Sequence, residues 1–377
     1  MADTTHPPVL FREATTTGGW KIGFARLNAE RVLNALSLDM IRLLDPQLRA
    51  WAEDDAVVCV VLEGAGEKAF CAGGDIRTLY DAMRAHPGDA ANPHALAFFS
   101  EEYRLDYRIH RYPKPILVWG SGIVMGGGLG LLAGASHRVV TEISRIAMPE
   151  ISIGLFPDVG GTWFLHRMPR RAGLFAALTG VSLNARDALY VGLADHLLLA
   201  AEREALFDRL SKAQWQGTPG PDRALLTQLL NDFPAAQSVA PGGNVERHAA
   251  TIEAMCADDS LSDVIARITA QAAQDAWLKR GAATLKAGSP TTTALIWELA
   301  HRAAGMSPAD VFRLELTVAL QCCAHPDFAE GVRALLIDKD NQPRWTPAAL
   351  REVTPHWVAE HFAQPAWPSG VSPLSDL

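Results

Sequence analysis

The 377-residue sequence predicts an α/β fold with buried parallel strands, followed by an all-helical C-terminal region, and three observations carry that expectation. The run 56–62 (AVVCVVL) is apolar without alternation, which marks a strand buried on both faces, the habit of parallel sheets. A second such run, 116–119, leads through a glycine cluster into a helical stretch, so the order strand, turn, helix recurs. Beyond about residue 200 no such run exists and the apolar spacing is helical.

Taken in order, residues 9–11 and 20–27 are expected as strands joined by a Thr/Gly turn. Ser37 is a candidate N-cap for a helix in which Leu36, Met40, Ile41, Leu43 and Leu44 recur at helical spacing. Strand 56–62 runs into 63–75, rich in glycine and polar residues and expected as a loop. A helical insert covers about 75–110. Strand 116–119, a glycine turn, a helix at 129–133 and short strands at 138–141 and 146–148 follow. Helix is expected within 161–179 and a last short strand at 195–199. Beyond come helices, with 217–221 and 239–244 as turn-like punctuation and an amphipathic stretch at 302–324. The proline-rich tail, 364–377, is expected to be poorly ordered.

Composition limits the function. Hydrophobic residues make up 49% and charged residues 20%, which excludes extended disorder. A net charge of −8 without a Lys/Arg stripe argues against nucleic acid as a partner. The five cysteines, Cys59, Cys71, Cys256, Cys322 and Cys323, include no CxxC pair, so neither a disulfide framework nor a zinc ribbon is expected. The histidines form no HxxxH or HExxH cluster, and no metal is expected. Residues 1–10 carry no basic, apolar or Arg-rich amphipathic leader, which with the thiols points to a reducing, cytoplasmic setting. Residues 116–135 carry no charge and are long enough to cross a bilayer, but their seven glycines suit a buried strand, a tight turn and a closely packed helix start. No membrane association is expected.

The glycine cluster admits two chemical readings. Gly128-Leu-Gly130-Leu-Leu-Ala133 fits GxGxxA with Glu150 some twenty residues on, as in a dinucleotide fingerprint. A dinucleotide turn follows its strand directly, whereas here six residues, 120–125, intervene. The better reading uses glycines at a helix start as unobstructed N–H donors to a carbonyl oxygen, strengthened by the helix dipole. A second donor loop is available in Ala72-Gly73-Gly74-Asp75, after the first buried strand.

Both loops belong to a longer series of motifs. Lys68-Ala-Phe-Cys-Ala-Gly-Gly-Asp-Ile76, Met125-Gly-Gly-Gly128, Ala147-Met-Pro-Glu-Ile151 and Gly154-Leu-Phe-Pro-Asp-Val-Gly-Gly161 together resemble the enoyl-CoA hydratase/isomerase (crotonase) superfamily. Phe98-Phe-Ser-Glu-Glu-Tyr103, Leu178-Thr-Gly180, Ser289-Pro-Thr291 and Asp327-Phe-Ala-Glu-Gly-Val-Arg-Ala-Leu-Leu-Ile-Asp-Lys-Asp340, with Pro343 and Trp345, resemble its 3-hydroxyisobutyryl-CoA hydrolase branch. The resemblance implies a crotonase-like spiral of ββα repeats over 1–220, carrying the active site, and a helical C-terminal region over 221–377.

It also implies roles. The N–H groups of Gly74 and Gly127 would form the oxyanion hole for a thioester oxygen, and Ala72 and Asp75 would bind the adenine end of coenzyme A. Hydratases of this type carry a glutamate just after the glycine cluster, where this chain has Gly130. Glu150 in the MPE motif remains and is joined by Asp158, the pair implied to be catalytic in thioester hydrolysis. Glu150 would either attack the carbonyl, giving a mixed anhydride, or activate water. Asp158 would orient the substrate hydroxyl or the water and move a proton. Glu102 would contact the substrate hydroxyl, or be an ordinary paired helix glutamate. Coenzyme A enters as part of the acyl-CoA substrate, no separate cofactor is expected, and a homo-oligomer is left open. The rival readings are an enoyl-CoA isomerase or hydratase and a non-catalytic acyl-CoA-binding protein.

Other candidates have plainer readings. Cys71, Cys322 and Cys323 read as packing, Arg31, Lys68 and Lys339 as surface charge rather than phosphate ligands, and His137 and His166 as structural histidines.

Overall fold

The computed structural model describes residues 7–234, 240–257, 260–271 and 275–377. Val9–Thr15 (β1) and Lys21–Leu27 (β2) pair antiparallel. Ser37 caps the helix Leu38–Glu53 by accepting the Met40 N–H at 3.2 Å. Thereafter the chain repeats a strand–strand–helix unit. Val57–Gly64 (β3) and Ala69–Cys71 (β4) precede the helix Ile76–Ala85. Ile116–Gly120 (β5) and Ile123–Met125 (β6) precede the helix Gly127–Ala133. His137–Thr141 (β7) and Arg145–Ala147 (β8) precede the turn Glu150–Ile153 and the helix Gly161–His166. His196–Leu198 (β9) is the last strand.

The first strand of each unit enters a six-stranded sheet of order β1-β2-β3-β5-β7-β9, parallel from β2 onward. The second enters a small sheet of order β4-β6-β8. All eight residues of β3 and all five of β5 are buried, which is why their sequences do not alternate. β4 and β6 fall inside the expected loop and the expected glycine turn. At three residues each, they are too short for a period to show.

Packing groups the described residues into two compact units, one from 1–74, 105–146 and 183–244, the other from 75–104, 147–182 and 245–377. This grouping follows contacts, whereas the division at residue 220 follows element content. The first unit has its core on one face of the large sheet, where Ile22, Phe24, Val61 and Val139 meet Leu206, Leu210, Leu226 and Leu230. Those leucines come from the helices Arg203–Lys212 and Pro219–Asn231. Residues 217–221 are therefore partly a helix start, with Pro219 at the position where a missing N–H costs nothing. Of the other expected pause, 239–244, residue 239 lies outside the described residues, and a helix begins at Asn244.

The second unit is helical. The amphipathic stretch 302–324 proves to be the end of one helix, Pro290–Arg302, and all of another, Pro308–Ala324. Gly305 breaks the run at φ +79°, and Ser307 caps the second helix ahead of Pro308. The tail is also tied down, contrary to expectation: Leu374 is fully buried and Asp376 pairs with Arg104 at 2.7 Å. Within the segment 327–340, Arg333 donates to Glu330, Asp338 and Asp340, and Gly331 packs against the backbone of Ile153. That segment therefore braces the turn bearing Glu150. No described helix is long and apolar enough to cross a membrane, and 116–135 is strand, strand and short helix.

In the first unit, Asn34 ties three loops together. Its Oδ1 accepts the Ala29 N–H at 3.0 Å, and its Nδ2 donates to Ala65 O at 3.0 Å and Ala69 O at 2.9 Å. Asn34 is fully buried at φ +55°, a conformation asparagine tolerates better than alanine. Asn34→Ala is expected to cost about 3 kcal/mol, read as a lowered urea midpoint, because it leaves buried partners unpaired.

Candidate active site

In the first unit, the two glycine loops lie side by side. β4 and β6 pair through Cys71 and Val124, which brings residues 72–74 beside 125–128. A Cβ on Gly128 would stand 2.3 Å from Cys71 O, so only glycine permits this approach. The 72–74 loop is fixed from its other side by Ala72 N–H to Leu33 O at 3.0 Å and Leu36 N–H to Gly73 O at 2.8 Å. Neither Gly74 N–H nor Gly127 N–H has an acceptor among the described residues. Gly127 opens its helix, where an N–H has no partner within the helix. The two loops expected to supply the donors therefore lie side by side. Cys71 is buried, with its Sγ 3.5 Å from Gly73 O.

In the second unit, three carboxylates are buried together. Glu150 follows Pro149 at the start of its short turn and is 5% exposed, and its Oε2 has no hydrogen-bond partner among the described residues. Burial raises its proton affinity well above that of an ordinary glutamate, and the Asp158 charge adds to this. Asp158 accepts the Tyr103 hydroxyl at 2.7 Å. Burial pushes Asp158 up to about 6, against the pull of that hydrogen bond. Glu315, fully buried on the helix Pro308–Ala324, accepts the Gly160 N–H at 2.7 Å and the Thr162 N–H at 2.8 Å. Burial and the Asp158 charge push Glu315 up to about 8. Raised proton affinities of this kind, caused by burial, occur at functional sites and in buried structural networks alike.

The remaining expectations divide. Glu102 is buried beside Tyr103 on the helix Pro93–His110. Asp75 has a cap's work, accepting the Thr78 N–H and hydroxyl at the start of Ile76–Ala85. Arg31, Lys68, Lys339 and His166 are exposed. His137 is structural, its ring held by Ser136, Thr227 and Arg223 O, and burial lowers it to about 4. Cys322 and Cys323 are buried thiols with raised proton affinity, which makes them poor nucleophiles. No group of metal-ligating side chains occurs among the described residues.

Sequence reasoning did not single out Tyr103 or Glu315. Tyr103 stood inside the Phe98–Tyr103 motif, and Glu315 is a carboxylate flanked by Leu314 and Leu316 in a helix otherwise uncharged from Leu314 to Leu320. That second signal was available. Also unforeseen is a cavity of about 470 Å³ beside the Asp158 turn, lined by Pro157 and Thr162 together with Leu165, Leu174, Ile296 and Leu299.

The sequence profile of the enoyl-CoA hydratase/isomerase family matches residues 22–362. The chain is 38% identical to the mitochondrial 3-hydroxyisobutyryl-CoA hydrolase of Danio rerio, over 91% of this chain and 87% of that protein. It is 34% identical to the Homo sapiens protein of the same name, over 90% and 86%. Among solved structures, an enoyl-CoA hydratase from Rhodobacter sphaeroides 2.4.1 superposes with a TM-score of 0.82 at 34% identity, covering 95% of this chain and 97% of that one. A carnitinyl-CoA dehydratase from Mycobacterium thermoresistibile gives 0.84 at 32%, covering 99% and 100%. With these matches spanning nearly its whole length, the chain belongs to the enoyl-CoA hydratase/isomerase family and has the crotonase fold.

Proposed function

We propose that this protein is an acyl-CoA thioester hydrolase acting on 3-hydroxyisobutyryl-CoA, releasing the hydroxy acid and coenzyme A, as in valine breakdown. The observation that carries the reading is the match to proteins of that name over about nine-tenths of the chain, joined by Glu150 with an unpartnered, buried oxygen. In this reading Glu150 opens the thioester, either by attacking its carbonyl carbon or by taking a proton from the attacking water. Negative charge then collects on the thioester oxygen, which the N–H groups of Gly74 and Gly127 receive. Asp158, held by the Tyr103 hydroxyl, orients the substrate hydroxyl or the water and exchanges a proton as the sulfur leaves. Glu102 meets the substrate hydroxyl, and Ala72 and Asp75 meet the adenine end of coenzyme A. The coenzyme belongs to the substrate, and no separate cofactor has a role. The five free, buried thiols suit a reducing compartment, and we place the protein in the cytoplasm.

The hydratase and dehydratase names of the two solved relatives favour a second reading. Against it stands Gly130, which offers no carboxylate where such enzymes are expected to carry their first glutamate. Thiol release decides between them. The purified protein is expected to liberate coenzyme A from 3-hydroxyisobutyryl-CoA, with 3-hydroxypropionyl-CoA about 10- to 200-fold slower for want of one methyl contact. Hydration or double-bond migration of an enoyl-CoA without thiol release would overturn the hydrolase reading.

A further inference from the structure

The turn that carries Asp158 is strained. Val159 sits at φ +54°, a left-handed conformation that is strained for a β-branched residue, and Gly160 follows at φ +85°. Beyond these two residues the Gly160 and Thr162 N–H groups point toward one place, while the Gly161 N–H between them returns to Asp158 O at 2.7 Å. Glu315 occupies that place, one oxygen on Gly160 N–H at 2.7 Å and the other on Thr162 N–H at 2.8 Å. The same helix grips the turn again one turn earlier. Phe312 Cζ lies 3.1 Å from where a Cβ on Gly160 would stand, and at φ +85° any side chain there would be strained. The Phe312 ring packs against the Tyr103 ring with centroids 5.8 Å apart, and the Tyr103 hydroxyl donates to Asp158.

A fully buried carboxylate is a costly way to hold a loop. Hydrophobic residues of similar volume commonly match or exceed such groups in stability. Stability alone therefore does not account for Glu315, whereas loop conformation does.

We propose that Glu315 is a positioning residue for hydrolysis, which locks Val159 in its left-handed conformation through the Gly160 and Thr162 N–H groups and so fixes the direction of the Asp158 carboxylate. This rests on the role given to Asp158 above. Both Glu315 oxygens are taken up by backbone N–H groups of the turn. Removal of Glu315 should slow the chemical step and leave binding nearly intact, because a misplacement of about 1 Å at a reacting group costs roughly 100-fold.

The test uses the full-length protein, Glu315→Leu and Glu315→Gln, thiol release from 3-hydroxyisobutyryl-CoA, and a crystal structure of each variant. In Glu315→Leu, kcat is expected to fall about 100-fold with KM within twofold, and Val159 to relax to negative φ. Glu315→Gln keeps one acceptor oxygen and is expected to recover part of that loss, about tenfold below wild type. Wild-type kcat in a folded Glu315→Leu, or Val159 unchanged at φ +54° in it, would refute the proposal. Should that variant not fold, wild-type kcat in Glu315→Gln refutes it equally. If the wild-type protein releases no thiol, the hydrolase reading fails, and Val159 φ in the variants still decides what Glu315 does.

Discussion

Glu150→Gln is expected to lower thiol release from 3-hydroxyisobutyryl-CoA by about 10²–10⁴-fold while leaving the affinity for coenzyme A, measured by calorimetry, nearly unchanged. The amide keeps the volume and shape of the side chain but can neither attack a carbonyl nor take a proton. A stability measurement gives the substitution a second signature. Burial and the Asp158 charge raise the proton affinity of Glu150 in the folded protein, so its ionised form is penalised by folding. A carboxylate raised in this way costs the fold stability as pH rises from the ordinary glutamate range up through its folded value, because the unfolded chain releases the proton first. The cost vanishes only below the ordinary range. The glutamine variant should therefore be more stable than wild type on the alkaline side, with the difference shrinking as pH falls. A variant that is inactive yet more stable is the expected mark of a catalytic group held in an unfavourable environment. Hydroxylamine added during turnover separates the two chemical routes, since a hydroxamate on Glu150 arises only from an anhydride. Wild-type turnover in Glu150→Gln would remove Glu150 from the mechanism.

How much of this was legible depended on length and on locality. The doubly buried β3 and β5 announce themselves because five to eight consecutive apolar residues have few other uses. The Ser37 cap is visible because a cap and its helix lie within one turn in sequence. β4 and β6 were missed because three residues cannot display a period, although they bring the Gly74 and Gly127 loops together. The stretch 302–324 read as an unbroken amphipathic run because its apolar spacing continues across Gly305, and the cap at Ser307 was overlooked. The ordered tail depends on Arg104, some 270 residues away, and no local pattern records such a pairing. The site shows the same limit. Glu150 and Asp158 stand in recognisable motifs, but the grip of Tyr103 and Glu315 on the Asp158 turn spans 55 and 155 residues to Asp158 and Gly160 respectively. The motifs were readable because their residues are contiguous, whereas the distant side chains that hold them in place were not.

Gly127→Pro is expected to lower kcat by about 10²–10³-fold, the cost of losing one oxyanion donor, with KM little affected. The position makes this a clean deletion. Gly127 is the first residue of its helix, the one place where proline fits the backbone angles and where no intrahelical hydrogen bond is lost. The substitution therefore removes an N–H and little else from the helix. Proline also adds a ring, and Gly127→Ala is the control for bulk, since alanine adds a methyl and keeps the donor. A protein of net charge −8 acting on a polyanionic thioester gains nothing from its overall field, so the positive potential at the reacting oxygen must come from local N–H groups. On that argument the alanine variant retains most of its activity and the proline variant does not. Equal losses in the two would show that space, not the N–H, matters at Gly127, and the oxyanion role would pass to another donor.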